Sequence, residues 1–375
     1  MVVTRLARAA VARAHVLAVE VPGHRAVRAG VEAAADARGW VLAASPADAD
    51  VLAVCGPLHG RLGDAVATVW EDLPGPRARV DVSAADAAVA ALDVAAAALL
   101  DDDAARDDAA GRSSEPPGDD RDMASEADDR DGLEMDVLHV PLGPVLPAWP
   151  AGLRLRCVLA GDVVTRAAVE GVGPRVGADP GPSPPVGGLP AAARHLDAVA
   201  GMLRVAGWDG AARRARALRD AVATGGSAVG STVGSTAGGD AVRDLAALRA
   251  RIARSWVLRW STRGLGVHEG LDVRDRLLGR LDRAVAAVGD GNPDLDEAVE
   301  RAESQAAVDA LPGLVTGLDL GAVRLVVASF DPDLSLVAVP EPQPEPESAG
   351  HGGHGGHGGH GGHGGHEGHG GHGHG

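Results

Sequence analysis

The sequence predicts an α/β domain followed by a mainly helical domain that begins with a β-hairpin. In the first hundred residues, short apolar runs alternate with helical stretches, which is the pattern of a doubly wound, flavodoxin-like parallel sheet. After residue 190 the apolar residues recur with helical spacing. We therefore divide the chain into an α/β domain at 13–100, an acidic disordered linker at 101–132, a mainly helical domain at 133–339, and a spacer with a His/Gly tail at 340–375.

The first domain contains four predicted strands, at residues 15–21, 40–44, 50–55 and 78–82. Helices are predicted up to Arg38, at 61–72 and at 86–100. Gly39 ends the first helix, and a Pro-Gly-Pro sequence at 74–76 follows the second. The linker at 101–132 is crowded with Asp and Glu and nearly lacks large apolar residues, so we expect it to be solvated.

The second domain begins at residues 141–164, where four prolines and a tryptophan precede an alternating run and a Gly-Asp turn. A Gly/Pro-rich loop follows at 171–190. Helices are predicted at 191–206, 211–223, 270–288 and 296–310, with another that Asp240 caps after a Gly/Ser/Thr insertion at 225–239. That capped helix has an apolar stripe of Leu245, Leu248, Ile252 and Trp256, and the helix at 270–288 has one of Val273, Leu277, Leu281 and Ala284. A final strand is predicted at 323–328.

The start of the second domain resembles the start of the large subunits of nickel-iron hydrogenases and of the quinone-site subunit of respiratory complex I. The shared pattern is G-P-x-x-P, then G-L-R, then G-D/E-V-V. The matching residues are Gly143, Pro144, Pro147, Gly152, Leu153, Arg154, Gly161, Asp162, Val163 and Val164. The resemblance implies a large-subunit-like domain.

Residues 49–80 resemble the cluster-bearing small subunit of the same enzymes. The matching residues are Asp50, Gly56, Ala65, Val69, Leu73, Pro74 and Pro76. The resemblance places cluster cysteines just after the first strand, where this chain reads VEVPGHRA, and Cys55 lies inside a strand. A four-iron cluster takes four thiolates, so we expect no iron-sulfur cluster. In patches, the resemblance covers residues 40–335 and implies a fusion of small- and large-subunit-like pieces.

Hydrogenase large subunits end with a sequence similar to Ser329-Phe330-Asp331-Pro332, followed by a Cys-x-x-Cys pair that holds the nickel-iron centre. Asp333 and Leu336 occupy the two cysteine positions here, and the partner pair is missing from residues 167–194. Neither side chain replaces a soft thiolate, so we expect no nickel-iron centre.

In the complex I relatives, two histidines of the opening loop and a tyrosine elsewhere bind the quinone. Leu146 stands at the first histidine position and Pro150 or Ala151 at the second, and the chain has no tyrosine. We interpret His139, just upstream, as structural. The sequence therefore predicts no catalytic and no cofactor-binding residue.

Composition limits the possible partners and compartment. A net charge of −17 argues against nucleic acid. Cys55 and Cys157 imply no disulfide framework, and the start of the chain does not read as a signal peptide. No apolar run is long enough to span a bilayer, so we expect a cytoplasmic protein that reaches a membrane only through a partner complex.

Two local patterns have alternative interpretations. His268-Glu269 could be an acid–base pair, or it could end a loop before a helix. The arginines Arg213, Arg214, Arg216 and Arg219 could bind an anion, or they could form a solvated face, which we favour. The Gly-rich segments lack the strand and helix context of a dinucleotide site.

The tail places imidazoles at nearly every third position. They are His351, His354, His357, His360, His363, His366, His369, His372 and His374. Imidazole suits nickel, zinc and copper, and the intervening glycines let the backbone fold around an ion. We predict Ni²⁺ or Zn²⁺ binding here, and such tails resemble those of nickel-handling accessory proteins.

The sequence thus favours a cofactor-poor homologue of the hydrogenase/complex I electron-transfer module. It would be a structural or assembly subunit that binds the other subunits of a membrane-associated oxidoreductase complex. We expect no catalysis by the chain alone; if it is active, the resemblance implies NADH:quinone oxidoreductase or hydrogenase chemistry. The alternative is a nickel or zinc store or metallochaperone that acts through the tail.

Overall fold

The computed structural model describes residues 2–112, 125–128, 134–172, 188–226, 236–290, 294 and 296–339. In the N-terminal part these form α1 (Val2–Val11), β1 (His15–Glu20), α2 (Arg25–Arg38), β2 (Val41–Leu42), β3 (Val51–Cys55), α3 (Gly60–Asp72), β4 (Ala78–Val82), α4 (Ala88–Leu99) and α5 (Asp102–Gly111). An antiparallel sheet follows, with β5 (Ser125–Asp128), β6 (Glu134–Leu142), β7 (Leu153–Ala160) and β8 (Val163–Gly171). The helical part contains α6 (Ala191–Val205), α7 (Asp209–Gly226), α8 (Thr236–Arg254), α9 (Trp256–Thr262), α10 (Val273–Gly289), α11 (Glu297–Val315) and α12 (Leu320–Phe330).

The first sheet is parallel, with strand order β2-β1-β3-β4. Every residue of β3 is buried, as expected for a central strand covered on both faces. Helices α2 and α4 pack on one face of the sheet through Val31 and Leu92, and α3 packs on the other through Leu62 and Val66. The strands and helices predicted for this part are confirmed to within a few residues at their ends.

The antiparallel sheet has the order β5-β6-β7-β8. Its β7–β8 hairpin turns at Gly161, at φ 63°, and confirms the predicted hairpin. The alternate residues Leu153, Leu155, Cys157 and Leu159 of β7 are buried against the helices. Strand β6 was not predicted, because its acidic and proline residues obscure a period-two pattern.

Helix α6 lies at the centre of the helical part, where it contacts α7, α10 and α12. The stripe predicted on α10 is fully buried, which confirms it. Asp272 caps α10 in a capping box with Asp275. Together with the two sheets, these helices belong to one compact unit that covers residues 1–341.

The strand predicted at 323–328 is wrong, because these residues form α12. Its valine-rich sequence favours a strand by propensity, but Val323, Val326 and Val327 share one buried helical face. The carboxylate of Asp319 accepts the Ala322 N–H and begins the helix.

Helix α8 differs from its prediction at both ends. It starts at Thr236, so Asp240 lies inside it and does not cap it. Leu245, Leu248 and Ile252 are buried as predicted. Trp256 is not, because Ser255 caps a new helix, α9, on which Trp256 is exposed.

The acidic segment at 101–132 begins with a helix, α5, that composition did not predict. Asp101 caps it by accepting the N–H groups of Asp103 and Ala104, and acidic residues in a first turn favour the helix dipole. Strand β5 also lies in this segment, whose other residues after 112 are outside the described part. No helix in the described ranges combines the length and the apolar content needed to cross a bilayer.

Candidate functional site

Charged side chains from both halves of the chain meet at the end of β1. Glu20 ends this strand, and Arg25, Arg28 and Glu32 follow on one face of α2. The helical part contributes charged residues from α6, α7, α11 and the end of α12. We call this set the ion network; it consists of Glu20, Arg25, Arg28, Glu32, Arg194, Asp197, Arg219, Glu300 and Asp331.

Asp197 is the centre of the ion network. It is 4% exposed and lies on α6 among apolar residues. Its Oδ1 accepts from Arg219 at 2.8 Å, and its Oδ2 accepts from Arg28 at 2.6 Å and from Arg25 at 2.9 Å. One carboxylate therefore joins guanidinium groups from both halves of the chain.

Arg219 has a completely buried side chain. Besides Asp197, it donates to Glu32 at 2.6 Å and to Asp220 at 2.8 Å. Glu32 also accepts from Arg28 at 2.6 Å. Each buried charge thus has at least two charged partners, the condition under which burial is tolerated.

Asp331 extends the network toward the end of the helical part. It ends α12 in the left-handed region, with φ 45°, a conformation that Asp tolerates better than most residues. Its carboxylate accepts from Arg25 at 3.0 Å and from Arg194 at 2.6 Å. Arg194 in turn donates to Glu300 at 2.7 Å.

The arginines of the ion network keep Glu32, Asp197 and Asp331 ionised. Burial by itself would raise the pKa of Asp197, but its three guanidinium partners outweigh burial and hold that pKa well below its ordinary value of 3.8. Burial would also raise the pKa values of Glu32 and Asp331. The neighbouring arginines outweigh burial, so both pKa values are lowered. These groups are therefore held as anions rather than poised to exchange protons near neutral pH.

The residues that the resemblance matches to the nickel-iron site make internal contacts here. Asp331 belongs to the ion network. Asp333 accepts from the backbone N–H and the hydroxyl of Ser335, at 3.0 and 2.6 Å, and Leu336 packs against the core. Both positions at which the family has cysteines are thus occupied by side chains engaged within this chain.

The loop that resembles the quinone-site opening lines a small cavity beside the ion network, of about 70 Å³. Leu146, at the first position where the resembled subunits have a histidine, lines this cavity with an apolar side chain. Ala151, one of the two candidates for the second position beside Pro150, lines it as well. Trp149 fixes the loop by donating to the Leu153 carbonyl at 2.8 Å. His139 lies half-buried on β6 and is not among the residues that line the cavity.

The turn after β1, where the small-subunit resemblance places cysteines, holds His24 instead. Its ring is buried, and its Nδ1 lies 3.2 Å from the Pro22 carbonyl. A Cβ at Gly56 would come within 2.5 Å of this ring, so glycine is required there at φ 109°. Gly56, which matches the family, serves here to pack a histidine.

Neither cysteine is available as a thiolate. Cys55 and Cys157 are buried and free. Burial raises the pKa of Cys157 to about 11 and raises that of Cys55 further. Within the described ranges, no three His, Cys, Asp or Glu side chains are grouped as metal ligands, and the tail histidines at 351–374 lie outside those ranges.

The structure bears on the alternatives for the His268-Glu269 pair and for the arginines of α7. Glu269, at φ 51°, lies in the loop before α10, and His268 packs edge-to-face on Phe330 at 5.8 Å, as the loop interpretation predicts. Arg213 and Arg214 are exposed, and exposure by itself does not decide between the two interpretations. The solvated-face interpretation is wrong for Arg216 and Arg219, which are buried and ion-paired.

Sequence reasoning missed Arg25, Arg28, Glu32 and Asp197. One feature of the sequence could have indicated the network: Asp197 lies within the apolar stripe of α6. A carboxylate buried there requires a cation beside it.

Neither a family model, nor a curated protein, nor a solved structure matches this chain. The likeness to the hydrogenase and complex I superfamily therefore rests on the sequence motifs.

Replacing one member of the ion network should strongly destabilise the fold. Arg219→Met leaves Glu32 and Asp197 with fewer buried partners, and we expect a loss of about 3–5 kcal/mol in the free energy of unfolding. Urea denaturation measures this change. The control is Arg213→Met on the exposed face of the same helix, with an expected change within about 0.5 kcal/mol. Equal stability of the two variants would contradict the conclusion that Arg219 holds a buried ion network together.

Stability should fall in acid. Glu32, Asp197 and Asp331 have lower pKa values in the folded than in the unfolded chain, where the ordinary values are 4.5 for Glu and 3.8 for Asp. Their contribution to the free energy of unfolding is therefore complete above about pH 4.5. It is lost as the pH falls through the pKa values of the folded chain. Urea unfolding between pH 3 and 7 should show this, and Asp197→Asn should flatten the acid limb. An acid limb that is unchanged in this variant would show that Asp197 does not contribute to the loss of stability in acid.

Proposed function

We propose that this protein is a cofactor-poor relative of the hydrogenase/complex I electron-transfer module and acts as a structural or assembly subunit of an oxidoreductase complex. The proposal depends on what occupies the positions that resemble the nickel-iron site. Asp331, Asp333 and Leu336 make internal contacts at the positions that resemble a metal site. A chain that keeps such motifs without the ligands is suited to a structural role.

The arrangement of the two halves supports this proposal. The strand order β2-β1-β3-β4 is that of a doubly wound, flavodoxin-like sheet, as expected for a small-subunit-like domain. The hairpin followed by helices agrees with the large-subunit plan. In the resembled enzymes the corresponding pieces would be two polypeptides that meet, and in this chain Arg25 and Arg28 of the first half bind Asp197 and Asp331 of the second.

A candidate surface for a partner subunit lies on α9. Trp256, Val257 and Trp260 are 72%, 63% and 75% exposed, and the two indoles stack at 6.4 Å. The whole chain has only six tryptophans and one phenylalanine, so two on one exposed turn are a notable share. Exposed tryptophans are typical centres of protein interfaces.

Arginines surround these side chains. Arg254, Arg259 and Arg263 are exposed and form no ion pair with any residue that the structure describes. We call the six residues 254, 256, 257, 259, 260 and 263 the Trp–Arg face. Its charge favours a partner subunit with an apolar pocket bordered by carboxylates. In this proposal the protein is cytoplasmic and reaches the membrane only through the complex.

Isolation of the native complex tests the proposal. Tagged protein should copurify with respiratory or hydrogenase-type subunits. The double variant Trp256→Ala/Trp260→Ala should lose most of this copurification, because truncating an interface tryptophan costs about 2 kcal/mol or more. Val299→Ser, at an exposed valine on α11, is the control and should retain it. Recovery of no oxidoreductase subunit with the unaltered protein would refute the proposal.

A second candidate function, nickel or zinc storage or delivery, is favoured by the imidazoles at 351–374. Elemental analysis and visible spectra of anaerobically purified protein separate the two functions. We expect nickel or zinc only when residues 350–375 are present, because neutral imidazoles supply the ligands, and a colourless protein without them. Iron and a broad charge-transfer band in the shortened protein would contradict the cofactor-poor proposal.

A further inference from the structure

A larger cavity adjoins the small one beside the ion network, on the side of strand β2. Its volume is about 570 Å³, within the range of pockets that hold small molecules. Strand β2, the end of α2, the proline loop before β7, and helices α6, α7 and α12 form its walls. Leu42, Pro147, Ala148, Arg204 and Arg216 line both this cavity and the smaller one.

Four arginines line the larger cavity: Arg204, Arg213, Arg216 and Arg324. Within the part of the chain that the structure describes, only Arg216 of the four forms an ion pair: its Nε and one Nη donate to the Asp36 carboxylate at 3.1 Å. Arg204 donates to the carbonyls of Leu42 and Ala43, and Arg324 donates to the Pro147 carbonyl at 3.3 Å. Nε of Arg324 is buried without a hydrogen-bond partner.

The carboxylates that line the cavity offset only part of the charge of the four arginines. Asp36 is held by Arg216. Asp48 accepts from the Ala44 N–H at 2.9 Å and lies 2.8 Å from His15. Asp209, at the start of α7, forms no ion pair with a described residue but interacts electrostatically with Arg204. Four arginines against three aspartates leave the cavity lining with one positive charge in excess, in a chain whose net charge is −17.

We propose that this cavity binds a phosphorylated small molecule. Guanidinium groups match the geometry of phosphate oxygens and can each donate two hydrogen bonds. Arg204, Arg213 and Arg324 approach from three different elements, so they can surround a multiply charged group. Val41, Val205 and Pro147 offer an apolar wall to the rest of such a ligand.

Two further observations agree with this assignment. Burial lowers the pKa of Arg204, and a bound anion would offset that cost. Ala148 has φ 54° in the loop between the two cavities, a conformation that is uncommon for residues other than glycine and that clusters at ligand sites.

Titration calorimetry with inorganic pyrophosphate tests the proposal on the full chain. The buffer should be at pH 8 with a chelator, so that the tail histidines are neutral and hold no metal. We expect saturable binding at one site that weakens with salt. Arg213→Ala should raise the Kd about tenfold, because a charge-assisted contact is lost. This side chain makes no hydrogen bond with a described residue, so its removal should leave the fold intact.

The matched control is Arg61→Ala, at an exposed arginine of α3 that forms no ion pair with a described residue, and its Kd should be unchanged. Arg324→Ala should also weaken binding, provided that its urea midpoint matches that of the unaltered protein. No saturation at millimolar pyrophosphate would overturn the proposal, as would an equal loss in Arg213→Ala and Arg61→Ala. Tighter binding of citrate than of pyrophosphate would overturn the assignment of phosphate.

Discussion

The buried carboxylate of Asp197 is the constraint on which the arrangement of the molecule depends. A carboxylate inside an apolar helix is tolerated only with cations close by, and here Arg25 and Arg28 come from the first half of the chain and Arg219 from the second. The two halves can therefore pack in only a narrow range of positions. Much of the Coulombic gain is offset by desolvation, so the network contributes specificity of packing more than net stability.

That specificity is needed because the core is built from small side chains. Aromatic residues make up 2% of the chain, and α6 is buried largely through alanine, valine and leucine. Hydrophobic burial is non-directional, and small, similar side chains allow several packings of nearly equal energy. Ion pairs at 2.6–3.0 Å have no such freedom. The network thus selects one packing among those that the core would accept.

How much the sequence predicts depends on how local the signal is. The strands of the parallel sheet and the stripe of α10 follow from periodicity within a dozen residues, and both are confirmed. Helix α12 was missed because its valines favour a strand, and only packing against the core decides otherwise. The ion network was missed for a different reason. The contacts that join the two halves are distant in sequence: Arg28 binds Asp197, 169 positions away, and Arg25 binds Asp331, 306 positions away. No local pattern distinguishes a buried arginine such as Arg219 from a solvated one.

The same electrostatic reasoning separates the two cavities. In the ion network every guanidinium lies beside carboxylates, so none of these groups is left to bind a ligand in the smaller cavity. Arg204 lines both cavities and is not part of that network. Around the larger cavity, Arg204 and Arg324 bind backbone carbonyls, and Arg213 binds no described side chain. Such a chain, with 52 acidic residues against 35 basic ones, has ample carboxylates to pair with these arginines. Arg204, Arg213 and Arg324 form no direct ion pair with a described carboxylate, and a site for an external anion requires this. A guanidinium already paired with an internal carboxylate would have to break that pair to bind a phosphate.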